Sequence, residues 1–204
     1  MNRMEVFTYW GKILAYADFE YKSTRLNGRA VEIPIVRQWL QRYGNILEVG
    51  HVLGHYPEAP ERTVVDRWEQ ASGVINKDVF DIGGSWDQIL SISTVAHVRW
   101  DEQPREVGGS VAAIHHLRSL LAPGGRLIVT ASTGTNGPLD EWLGSGMSGA
   151  DRTCTLVRDG LHWRQSDAFE IQTEVEESGS SDSLWVAEWS NPLTNFGQPS
   201  SSVL

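Results

Sequence analysis

The stretch Asn45-Ile46-Leu47-Glu48-Val49-Gly50-His51-Val52-Leu53-Gly54-His55-Tyr56 constrains the fold more than any other part of the chain. A short apolar run reaches an acidic residue and breaks into a loop carrying two glycines. A buried first strand of an α/β sheet runs into a ligand-cradling turn in this way. Gly50 and Gly54 permit positive φ and let the backbone approach a ligand that a side chain would hold off. Glu48 sits at the end of the strand, placed to accept hydrogen bonds from a hydroxyl or amine. The spacing Gly50-x-x-x-Gly54 is not the three-glycine pattern of dinucleotide sites.

The elements that follow alternate. Ile46 to Val49 reads as the first strand, Arg62 to Val65 as the second and Val79 to Ile82 as a short third segment. Gln88 to Ile92 reads as the fourth strand and Arg126 to Ala131 as the fifth, after a turn at Pro123-Gly124-Gly125. Between the last two, Val111, Ile114, Leu117 and Leu121 mark one face of a helix over residues 110–121. Such alternation implies a parallel sheet with helices on both faces. Upstream, Ile35, Val36, Trp39, Leu40 and Tyr43 recur at helical spacing over residues 30–43, with Pro34 in the first turn and Gly44 as the stop. Residues 1–29 are rich in aromatics without a clean period and read as a helical cap or lid. Downstream, Leu139 to Leu143 reads as one helical turn and residues 144–149 as a loop. Thr153 to Val157, Leu161 to Arg164 and Leu184 to Trp189 read as strands, with a polar connection over 177–183. Residues 191–204 have little to bury and read as a flexible tail, so a single domain is expected over 1–190.

Composition narrows the function. A net charge of −9 argues against a nucleic-acid partner, since phosphate binding needs concentrated Lys and Arg. No apolar run approaches the roughly 20 residues that span a bilayer, and the first residues lack the apolar core of a signal peptide. The one cysteine, Cys154, has no partner for an internal disulfide and reads as a buried structural thiol. A cytoplasmic protein is the expectation, with oligomeric state open.

In an open parallel sheet, ligands bind beyond the carboxyl ends of the strands, where strand order reverses. Glu48 to Gly54, Asp66, Asp78 and Ser91 to Thr94 all fall at such ends. Asp66 follows Glu48 by 18 residues and stands where a carboxylate grips ribose hydroxyls. Asp78 is placed to accept from an adenine amino group. Singly, Asp66 reads as a helix cap and Asp78 as a turn residue. Their coincidence points to a nucleoside-containing ligand.

Over about residues 20–190 the chain resembles the class I S-adenosylmethionine-dependent methyltransferases, small-molecule type. Glu48-x-Gly50-x-x-x-Gly54 resembles the family's first motif, Asp66 its ribose-binding acid and Asp78-Val79 its adenine contact. The segment from Asp87 to Val98 resembles the fourth strand and the active-site residues after it. Leu120-Leu121-Ala122-Pro123-Gly124-Gly125-Arg126-Leu127 is similar to the turn before the fifth strand. Thr24-Arg25-Leu26-Asn27 resembles a lead-in whose arginine reaches the cofactor carboxylate. The resemblance implies a Rossmann-like class I methyltransferase fold: a mostly parallel seven-stranded sheet, helices on both faces and an antiparallel C-terminal strand. It implies S-adenosyl-L-methionine held by Arg25, Glu48, Gly50, His51, Gly54, Asp66, Arg67, Asp78, Val79 and Ser93. It also implies an acceptor, possible in secondary metabolism, near Tyr21, Tyr56 and Trp100, and His97 as general base, with Asp101 and Glu102 as alternatives.

Two departures stand out. Val52 occupies the middle glycine position, and Ala96 stands where the family often has Glu before the histidine. Carboxylates that hold a metal in some members are missing, so no metal is expected. His51 and His55 are four apart on a loop, where that spacing imposes no common face. The same fold also admits a cyclisation or rearrangement without methyl transfer, or a non-catalytic cofactor-binding partner. An NAD-linked oxidoreductase fits less well, lacking its glycine pattern.

Overall fold

The computed structural model describes residues 5–41, 44–171 and 182–192. Tyr43, most of the 177–183 connection and most of the 191–204 tail lie outside them. Ten strands and three helices are described: β1 Val6–Tyr9, β2 Lys12–Ala15, α1 Arg29–Trp39, β3 Ile46–Val49, β4 Thr63–Val65, β5 Val74–Ile75, β6 Trp86–Ile92, α2 Gly109–Ser119, β7 Leu121–Ser132, α3 Gly137–Gly144, β8 Arg152–Asp159, β9 His162–Ser166 and β10 Ser183–Ser190. The main sheet has eight strands in the order β5-β4-β3-β6-β7-β10-β8-β9. The first five are parallel and the last three join antiparallel. Strand order reverses between β3 and β6, so their carboxyl ends flank the crevice where such sheets bind ligands.

The two faces of the sheet carry separate cores. One packs Leu47, Val49, Ile89, Leu127 and Val129 against Ile114 and Leu117 of α2 and Leu139 and Leu143 of α3. The other packs Ile46, Leu90, Ile92 and Ile128 against α1 and the N-terminal residues. All four residues of β3 are buried, as a central parallel strand requires.

The described N-terminal segment opens as a hairpin rather than a helix, and only Tyr21–Leu26 forms a short helical turn. Val6, Phe7, Thr8 and Tyr9 alternate outward and inward with period two, and β1 pairs with β2 around Trp10-Gly11, both at positive φ. Phe7 and Tyr9 are buried in the α1 cluster, which explains why so many aromatics precede that helix. Helix α1 is consequently buried nearly all round, from Ala30 to Val36. Pro34 lies in its second turn, where a proline withholds the amide that Ala30 would accept. That carbonyl instead accepts from the Ala17 amide at 2.9 Å, which ties the N-terminal arm to the helix.

The helix also ends earlier than its periodicity predicts. Leu40 is extended, Arg126 donates to the Trp39 carbonyl, and Gln88 takes the Gln41 amide at 2.6 Å. Side chains from β6 and β7 thus stop it. The third strand is displaced as well. Residues 74–75 pair with β4, whereas Val79–Asp81 form a helical turn because the Asp78 carboxylate caps the Phe80 amide at 3.0 Å. The Pro123-Gly124-Gly125 turn becomes a bulge within β7. A Cβ on Gly125 would lie 2.7 Å from the Trp86 carbonyl oxygen.

Glu48, fully buried at the end of β3, shapes the loop that follows. One carboxylate oxygen accepts from the Val52 amide at 2.8 Å and the Leu53 amide at 2.7 Å; the other is paired with the guanidinium of Arg62. Removing one partner of a buried pair strands the other charge, at a cost of about 3–5 kcal/mol. Glu48→Gln and Arg62→Met are each expected to lose that much stability in urea unfolding. The double variant, which removes both charges, should be less destabilised than the sum of the two.

Candidate functional site

A cavity of about 510 Å³ opens at the carboxyl ends of β3, β4 and β6 and is lined by Val49, Gly50, Asp66, Asp78, Thr94 and His97, among others. Its volume lies in the range of small-molecule sites. Its position is the one that the reversal of strand order dictates.

Gly50 makes the floor. It has φ +91°, its amide donates to the Val65 carbonyl at 2.9 Å, and a Cβ there would lie 2.1 Å from Thr94 Oγ1. Only glycine combines that conformation with that approach. Asp66, at the end of β4, accepts from the amides of Trp68 and Glu69, both at 2.8 Å, through Oδ1 and from the His51 amide at 3.2 Å through Oδ2. It therefore holds the turn after β4 against the loop after β3 while one flank still faces the cavity.

Opposite, Asp78 Oδ2 pairs with Arg67 at 2.9 Å and Arg99 at 2.8 Å. Both guanidiniums reach on to Glu102, at 2.8 and 2.9 Å. Two cations and two carboxylates thus close one rim and tie the segment after β6 to the ends of β4 and β5. Val65, Val79 and Val98 supply apolar wall.

His97 reaches the cavity on a short turn after β6, and its Nδ1 lies 2.7 Å from Asp101 Oδ2. Both side chains are 59% exposed, so the pair is open to a ligand. A carboxylate on one ring nitrogen orients the imidazole and leaves the other nitrogen free for proton transfer. Sequence spacing offered Asp101 as a rival base; the structure makes it the partner of His97.

Several other expected residues stand elsewhere. Glu48 lies beneath the loop, with its carboxylate occupied by amides and Arg62. Arg25 turns away from the cavity, bonding Glu5 at 2.6 Å and stacking over Tyr16 at 4.0 Å. Ser93 has φ +45° and directs its hydroxyl to buried Glu32 at 2.5 Å. Trp100 donates its indole N–H to the Thr135 carbonyl at 2.9 Å beneath Arg105.

Tyr21, Tyr56, His51 and His55 gather around a second, smaller cavity of about 230 Å³ behind the glycine loop. Tyr21 stacks on His55 with ring centroids 4.3 Å apart, and burial together with neighbouring His51 pushes the His55 imidazole below its ordinary value. Gly54 is where the His51 ring folds back, since a Cβ there would lie 2.0 Å from Nε2.

Trp68 escaped sequence reasoning. It is 71% exposed at the cavity mouth, and Arg67 packs 4.8 Å from its ring. Its only signal was an indole two residues past Asp66. Cys154 is buried, and that burial pushes its thiol up to about 12, which fits a structural role.

No family model matches the chain, and no curated protein matches it. Solved structures with a similar fold include the N-methyltransferase NodS of Bradyrhizobium japonicum WM9 in complex with S-adenosyl-L-homocysteine. It shares 18% identity over 72% of this chain and 78% of that one, with a TM-score of 0.42. A SAM-dependent methyltransferase of Methanosarcina mazei shares 13% identity over 79% of this chain and 98% of that one, with a TM-score of 0.46. The magnesium protoporphyrin IX methyltransferase of Synechocystis PCC 6803 with bound SAM shares 13% identity over 75% and 74%, with a TM-score of 0.42. At such identities and TM-scores the likeness assigns no activity to this chain. No described helix is long and apolar enough to cross a membrane.

Gly50→Ala should destabilise the protein by more than about 1 kcal/mol, because it adds left-handed strain to a clash with Thr94. In thermal unfolding, Gly50→Ala/Thr94→Ala should recover only the part of the loss due to the Thr94 hydroxyl and methyl.

Proposed function

We propose that the protein is an S-adenosyl-L-methionine-dependent methyltransferase acting on a small molecule. The observation that carries this reading is the convergence of Gly50, Asp66 and Asp78 on one cavity at the ends of three adjacent parallel strands. The floor without a Cβ at Gly50 admits backbone-close contact, and Asp66 stands at the end of β4, where a vicinal diol would meet its carboxylate. Val65, Val79 and Val98 with the exposed Trp68 ring offer apolar and stacking surface for a purine. The residues present therefore fit the group.

When bound, S-adenosylmethionine supplies a sulfonium-activated methyl carbon. This chain's work is then to align an acceptor, exclude water and remove a proton. His97, oriented by Asp101, is the assigned general base, and the rim of Arg67, Arg99, Asp78 and Glu102 holds one wall of the cavity in place. Arg67 and Arg99 are engaged with carboxylates, and the chain carries a net charge of −9, which favours a small acceptor over a polyanion. Biosynthesis of a secondary metabolite in the cytoplasm is the setting that we infer.

Asp66→Ala should weaken S-adenosylmethionine binding at least about tenfold in calorimetry. His97→Ala should leave that affinity nearly unchanged and slow turnover about 10²–10⁴-fold once an acceptor is found by metabolite screening. Purified protein that carries neither S-adenosylmethionine nor S-adenosylhomocysteine, and whose unfolding temperature neither compound raises, would refute the reading.

A further inference from the structure

We propose that His51, His55 and Glu69 form a binding site for a divalent transition-metal ion, zinc foremost, beside a second cavity that shares no lining residue with the main one. Each residue offers one ligand atom, and the three atoms lie within 4.8 Å of one another. Two loop segments separated in sequence, the one after β3 and the one after β4, meet to build the set. Asp66 holds them together by accepting from the backbone amides of both His51 and Glu69.

Three further features belong to a site rather than to a chance cluster. First, the His51 ring is placed by the absence of a side chain at Gly54, where a Cβ would fall 2.0 Å from Nε2. Second, His51 Nδ1 is buried without a hydrogen-bond partner among the described residues. Third, His55 is held against Tyr21 at 10° between ring planes, which fixes the direction of its imidazole.

The donor chemistry selects the ion. Two imidazoles and one carboxylate suit zinc and neighbouring transition metals, whereas magnesium and calcium prefer oxygen sets. Three protein ligands leave a coordination position free, and all three residues line the 230 Å³ cavity. Two cationic side chains also border that cavity. Arg29 is paired with buried Glu32 at 2.7 Å, and Lys22 rests over the Tyr21 ring at 5.6 Å, so neither occupies the ligand set. A four-residue histidine spacing gives a common face on a helix but not on a loop; here the turn over Leu53–His55 and bare Gly54 create that face.

This inference rests on neither the cofactor nor the methyl-transfer reading, and its test needs neither. Untagged, metal-stripped protein is dialysed against zinc, and bound metal is counted by elemental mass spectrometry. One zinc per chain is expected, with no comparable retention of magnesium. His51→Ala/His55→Ala should abolish binding, and Glu69→Gln should weaken it at least about tenfold. Gly54→Val, which keeps all three ligands but displaces the His51 ring, should weaken it as well. Cobalt loaded into the wild-type chain reports geometry without any variant. Intense visible absorption from four- or five-coordinate cobalt supports the site, and the weak spectrum of a six-coordinate aqua ion overturns it. Failure to retain zinc, or retention undiminished in the double variant, also overturns it.

Discussion

The buried carboxylate of Glu48 is the constraint on which the site depends. A charge at that depth is tolerable only when its oxygens are filled, and here two consecutive loop amides and one guanidinium fill them. The loop therefore takes its shape from the protein rather than from a ligand. It also explains how Val52 can stand where related loops carry glycine: its φ of −103° is open to any residue, and its amide is one of the two that Glu48 binds. The only left-handed position in the loop, Gly50, is the one that meets the cavity.

Around this fixed floor, the walls differ in how firmly they are held. The rim of Arg67, Arg99, Asp78 and Glu102 shares two cations among two acids, so each carboxylate is held from two directions. The His97–Asp101 pair has no such bracing and faces solvent. A recess braced by paired charges thus lies beside an exposed imidazole–carboxylate pair.

Much of this was legible in the sequence, and each miss has its own physical cause. Strands β3 and β4 announced themselves by apolar runs ending in glycine or acid, β6 and β10 by their apolar residues alone, and the positions of Gly50, Asp66 and Asp78 followed from the strand ends. The N-terminal hairpin was misread as helical because its period-two stretch is only four residues long and its aromatics continue past the turn. Two-residue β5 is too short to show any period. The direction of a side chain was the harder matter. Ser93 and Arg25 sit in the expected segments yet point to Glu32 and Glu5, partners 61 and 20 residues away. The meeting of His51 with His55 depends on a loop folding over a glycine, and no periodicity encodes it.

Pro34 gives the fold a further property. An ordinary helix satisfies its own interior carbonyls and can form before its surroundings do. Helix α1 does not complete itself in that way, because Pro34 has no amide to offer the Ala30 carbonyl, which accepts from Ala17 across the N-terminal arm. Arm and helix thus make one cooperative unit, and the aromatic hairpin is no ornament on a finished domain. The segment that precedes the helix holds the missing half of a bond that the helix itself requires.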